Sequence, residues 1–135
     1  MKKILFLCTG NSCRSIIAEA IINNELKDCI IAYSAGVSPL GDVNNFAKKV
    51  LKKYGIWNDE YYSKSLDNIN HLEFDLVITV CSNAKEKCPI YPQGTELLHI
   101  EFDDPNGKPY KDFVKTYTSI KDKLVPLLKN KFCNT

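Results

Sequence analysis

Apolar and polar positions along the chain follow two alternating periods. Ile4-Leu5-Phe6-Leu7 is an unbroken apolar run, the pattern of a parallel strand buried on both faces. After Ser15, residues Ile16, Ile17, Ala20, Ile21 and Leu26 recur at helical spacing and predict a helix running to about Leu26. Ile30 to Ala35 predicts a second strand, closed by Gly36. Phe46, Val50, Leu51 and Tyr54 mark a second helix, with Gly55 where a helix is commonly stopped by left-handed backbone. Leu76-Val77-Ile78-Thr79-Val80 predicts a third strand and Leu97 to Ile100 a fourth. Phe113, Tyr117, Ile120, Leu124 and Leu127 keep helical spacing to the end, where Pro126 is expected to kink that helix or end it early.

Strands alternating with helices predict an α/β protein. The expected architecture is a flavodoxin-like three-layer fold with a four-stranded parallel sheet, strand order 2-1-3-4, joined by right-handed crossovers. Residues 1–135 are expected to form a single domain, with no linker, repeat or low-complexity stretch. In that strand order, strands 1 and 3 flank the topological switch point, where ligands bind beyond the strand carboxyl ends. Cys8 follows strand 1, Cys81 follows strand 3, and Asp103 and Asp104 follow strand 4. Groups distant in sequence are thereby expected on one rim.

Composition narrows the picture. A net charge of +2, with lysines spread along the helices, argues against nucleic acid as a partner. No apolar run is long enough for a membrane span. Met1-Lys2-Lys3 before the apolar run and Cys8 superficially resembles a lipoprotein signal, but the run is too short and no small-residue cleavage site follows. The expected location is the cytoplasm. Six cysteines in such a chain suggest metal or redox chemistry. Cys8/Cys13 and Cys81/Cys88 lack the close spacing of structural zinc knuckles, and only His71 and His99 could complete a site, so redox work is the better reading.

The candidate chemistry starts at Cys8-Thr9-Gly10-Asn11-Ser12-Cys13-Arg14-Ser15, between the first strand and the first helix. A tight loop feeding a helix N-terminus turns N–H groups and the helix dipole toward a tetrahedral oxyanion, and Arg14 can add a bidentate fork. Gly10 and Asn11 suit unusual backbone angles. The same positive features are expected to lower the Cys8 thiol and make it a nucleophile. A cysteine six residues before an arginine also occurs by chance, and buried cysteines are commonly inert, so the strand–loop–helix context carries this reading. A second pair, Cys81 and Cys88, is seven residues apart. On a continuous helix that is about 10 Å, beyond disulfide reach, so bonding between them requires local unwinding. Two unrelated buried thiols remain the alternative.

With these stretches assembled, the chain resembles the thioredoxin-coupled arsenate reductases that share the fold of low-molecular-weight protein tyrosine phosphatases. The matching segments are Cys8 to Ser15 with Ala18-Glu19, Tyr33-Ser34-Ala35-Gly36, Asp75-Leu76-Val77, Cys81 to Pro89, and Phe102-Asp103-Asp104-Pro105. The loop indicates the superfamily; the Cys81/Cys88 pair indicates the reductase branch. The resemblance implies that arsenate binds Thr9, Gly10, Asn11, Ser12, Cys13, Arg14 and Ser15, with phosphate or sulfate as competitors. Cys8 attacks arsenic, Asp104 protonates the leaving oxygen, and Ser15 supports the thiolate. Cys81 then attacks Cys8, Cys88 attacks Cys81, and thioredoxin reduces the final disulfide.

The catalytic set implied is therefore Cys8, Arg14, Cys81, Cys88 and Asp104, with no cofactor, in a monomer with side activity on phosphate esters. Asp103 or Asp104 could instead cap a turn before Pro105; the position next to proline favours Asp104 as the acid. The alternative function is a low-molecular-weight protein tyrosine phosphatase using Cys8, Arg14 and Asp104, although Asn106 stands where that branch usually carries tyrosine. No metal is expected. Some relatives hold a monovalent cation near Asn11, Glu19 and Ser34, but Lys64 stands at the fourth position and counts against it. Cys13 is expected to be structural, Cys29 and Cys133 inert with Cys133 near a frayed end, and His71, His99 and Trp57 packing or surface residues.

Overall fold

The structure is a computed structural model that describes residues 1–11, 13–37, 39, 41–69, 72–80 and 95–133. Its elements are β1 (Lys2–Cys8), α1 (Arg14–Glu25), β2 (Ile30–Gly36), α2 (Asn45–Lys53), a short 3-10 turn (Leu66–Asn68), β3 (Leu76–Thr79), β4 (Glu96–His99) and α3 (Tyr110–Phe132). The sheet is parallel throughout, in the order β2-β1-β3-β4. Ser12, His71, Cys81 and Cys88 lie outside the described residues.

β1 is central because every residue from Ile4 to Cys8 is buried. Successive side chains point to opposite faces. Ile4, Phe6 and Cys8 join a core with Ile17 and Ile21 from α1, Val50 from α2, and Phe113, Ile120 and Leu124 from α3. Leu5 and Leu7 join Ala35, Ile69, Phe74 and Val77 on the opposite face. Each fully buried aliphatic side chain contributes about 1.5–3 kcal/mol, so a slip of one residue would be strongly opposed.

Register matters for function. Cys8 lies opposite Gly36 and Leu7 opposite Thr79. Val80 extends this pairing, its N–H donating to the Leu7 carbonyl at 3.0 Å. The residue before Cys81 is therefore bonded to the residue before Cys8.

Two expectations are corrected here. Of the two outcomes expected at Pro126, a kink or an early end, the early end is corrected: α3 continues to Phe132. Ile120 and Leu124 before the proline, and Leu128 after it, are all buried, so packing outweighs the missing N–H. Cys29 and Cys133 are also not inert: they form a disulfide across 104 residues, with Cα atoms 5.7 Å apart. The pair ties the end of α3 to the start of β2, so the terminus expected to fray is anchored.

Candidate active site

The loop after β1 folds around the Cys8 sulfur. Asn11 takes the left-handed conformation (φ 48°), and its backbone N–H donates to Cys8 Sγ at 3.2 Å. Ser15 Oγ lies 2.9 Å from the same sulfur. Because Asn11 Nδ2 donates to Ser15 Oγ at 2.8 Å, the serine hydroxyl proton is available to the sulfur. Ser15 and Arg14 form the first turn of α1, which follows Cys13 as its N-cap without a side-chain cap bond. Cys13 is buried in the helix-side core.

Burial is the largest influence on Cys8 and pushes its thiol up from the ordinary value. The Ser15 hydroxyl, the backbone N–H groups of Asn11 and Ser15, and the Arg14 charge act in the opposite sense. The sequence-based expectation of a lowered thiol covered only this second group. It is corrected by the depth at which β1 carries the sulfur.

Arg14 is buried and joins the loop to the strand-4 side. Its Nη1 donates to the Phe102 carbonyl at 2.9 Å, and its Nη2 lies 3.6 Å from Asp104 Oδ2. Asp104 is half-exposed and accepts the Asn106 N–H at Oδ1, 3.0 Å. Cys8, Arg14 and Asp104 thus share one rim, while Asp104 also caps the turn after Pro105.

A brace under the loop was not anticipated from sequence. Ser63 Oγ donates to the Gly10 carbonyl at 3.0 Å. The Lys64 N–H donates to Asn11 Oδ1 at 2.8 Å, and the Lys64 carbonyl accepts the Gly36 N–H at 2.9 Å. Gly36 itself presses on the loop. A Cβ there would stand 2.6 Å from the Thr9 carbonyl oxygen and 3.0 Å from Asn11 N. The sequence signal was Gly36 at the strand end; its close approach to the loop was not legible.

The residues named for a monovalent cation do not fit one here. Lys64 Nζ lies 3.7 Å from Glu19 Oε1 and 3.4 Å from Ser34 Oγ, while Asn11 Oδ1 accepts the Lys64 N–H. An ammonium already stands against two of the three, Glu19 and Ser34, and the third accepts a backbone N–H. His99, exposed, has Nδ1 2.7 Å from Thr79 Oγ1, and Trp57, half-buried, donates its Nε1–H to Asp59 at 2.7 Å.

A cysteine in a strand–loop–helix cradle, faced by an arginine and an aspartate, defines a class of enzymes acting on tetrahedral oxyanions. The chain belongs to the low molecular weight phosphotyrosine protein phosphatase family, matched over residues 3–132. It is 43% identical over 121 residues to arsenate reductase 2 of Staphylococcus epidermidis, covering 89% of this chain and 91% of that protein. Among solved structures, an arsenate reductase in a phosphate-binding state gives a TM-score of 0.81 at 25% identity, covering 96% of this chain and 98% of the other. A low molecular weight protein tyrosine phosphatase from T. tengcongensis gives 0.79 at 29% identity, covering 96% and 99%.

Proposed function

We propose that the chain reduces arsenate to arsenite through a Cys8–Cys81–Cys88 relay regenerated by thioredoxin, as a monomeric single-domain cytoplasmic enzyme of arsenic detoxification. The observation that carries this is the β1–β3 register: Val80, just before Cys81, bonds to Leu7, just before Cys8. A resolving thiol entering the chain at that point is in keeping with attack on Cys8. The similarity to arsenate reductases supports the choice of substrate.

Each step has a physical reason. The oxyanion is held by the Thr9 to Ser15 N–H groups and the guanidinium of Arg14. Cys8 passes its thiol proton to an oxygen of the bound arsenate, and its Sγ bonds to arsenic. Asp104 protonates the oxygen that departs as water, since hydroxide is a poor leaving group. Arsenic is still pentavalent at this stage. Cys81 Sγ then attacks Cys8 Sγ; the S–S bond forms, the S–As pair passes to arsenic, and arsenite leaves. Cys88 transfers the disulfide to Cys81–Cys88, where a thioredoxin dithiol can reduce it.

The second reading is a protein tyrosine phosphatase, favoured by the family match and by the Cys8, Arg14 and Asp104 arrangement. That activity has no use for Cys81 and Cys88, and a reductase with this loop is expected to retain some of it. The test is arsenate-dependent NADPH oxidation with purified thioredoxin and thioredoxin reductase, beside a glutaredoxin–glutathione system. Turnover is expected with the first. Aryl-phosphate hydrolysis without arsenate turnover in either system would establish the phosphatase reading instead.

A further inference from the structure

Glu19 sits in the middle of α1 on its buried face, and its carboxylate Oε1 accepts the Ser34 hydroxyl at 2.6 Å. Burial pushes this carboxyl up from its ordinary range, and a buried anion without a cation would be costly. Lys64 supplies that cation from a different part of the chain. Its side chain is only 7% exposed; Nζ lies 3.7 Å from Glu19, donates to the Tyr62 carbonyl at 3.1 Å, and sits 4.8 Å over the Tyr62 ring.

Burying a lysine is unusual, and here its two ends do different things. The ammonium end is fixed between α1 and β2. The backbone end donates to Asn11 Oδ1 and accepts from Gly36 N–H, directly under the loop. Asn11 passes the constraint on: its side-chain amide orients the Ser15 hydroxyl, and its own N–H meets Cys8 Sγ. A continuous chain of contacts runs from the ammonium to the sulfur.

We propose that the buried Lys64–Glu19 pair is a positioning element for the Cys8 cradle, with the lysine ammonium serving as an internal cation that pins Asn11. The inference rests on Cys8 being the nucleophile. Lys64 touches neither the oxyanion nor the sulfur; it acts through Asn11 and Ser15.

The test compares Lys64→Met, Glu19→Gln, the double variant and the parent by melting temperature and by the pH profile of Cys8 alkylation. Lys64→Met leaves Glu19 buried without its partner and is expected to melt lower. The double variant removes both charges, so much of the melting temperature should return. Cys8 alkylation near neutral pH should nevertheless slow about tenfold in all three, one unit in thiol ionisation, and Lys64→Arg should recover part of the rate. A purely electrostatic influence predicts the opposite for Glu19→Gln, since an uncompensated ammonium would favour the thiolate; faster alkylation there overturns the proposal. A folded double variant with the parent profile overturns it as well. Failure of the underlying site would show in the parent itself, as Cys8 alkylation indifferent to inorganic phosphate.

Discussion

Ser15 is the residue through which the loop reaches the sulfur. Its hydroxyl and N–H both act to lower the Cys8 thiol against the upward push of burial. Ser15→Ala removes the hydroxyl contribution, so the thiol should rise further and less thiolate should exist at any given pH below it. With a hydrogen bond to a charged group worth about 1.5–3 kcal/mol, alkylation near neutral pH should slow by about tenfold or more. An unchanged pH profile would show that Ser15 does not govern the thiol. Gly36 acts sterically. Gly36→Ala puts a methyl 2.6 Å from a backbone oxygen of the loop, which cannot swing aside as a side chain could. A displacement approaching 1 Å can cost on the order of 100-fold in rate, and arsenate turnover should fall on that scale while the sheet stays folded. Near-parent activity would mean that the loop tolerates movement.

Among the elements, β1 and β3 were plain in the sequence because strands buried on both faces need continuous apolar runs. The end of α3 was not, because local propensity at Pro126 yields to the burial of Leu124 and Leu128. The Cys29–Cys133 link was equally hidden, since a pairing across 104 residues leaves no local pattern. Closing a loop of about 100 residues is worth up to about 4.7 kcal/mol in the chain-entropy model. Oxidised protein should therefore melt several degrees above reduced protein, and Cys133→Ser should remove most of the difference. Equal melting temperatures for oxidised and reduced parent would show that the link contributes nothing to stability.

At the scale of the whole molecule, the parallel order 2-1-3-4 brings Cys8, Arg14 and Asp104 to one rim. This part of the site was legible because the loop chemistry is written locally and the alternation of strands and helices points to that strand order. The brace of Ser63 and Lys64 was not, because it joins residues 53 positions apart through backbone contacts that no periodicity records. The central claim is that the oxyanion site hands its oxidation to a thiol relay, and Cys88→Ser isolates that step. After a single addition of arsenate without reductant, this variant should release about one arsenite per protein and stop. Nonreducing peptide mapping should then show a Cys8–Cys81 link, while any hydrolysis of small aryl phosphates by the unreacted protein is unchanged. Sustained thioredoxin-linked turnover in Cys88→Ser, or arsenite release without a Cys8–Cys81 peptide, would contradict the relay.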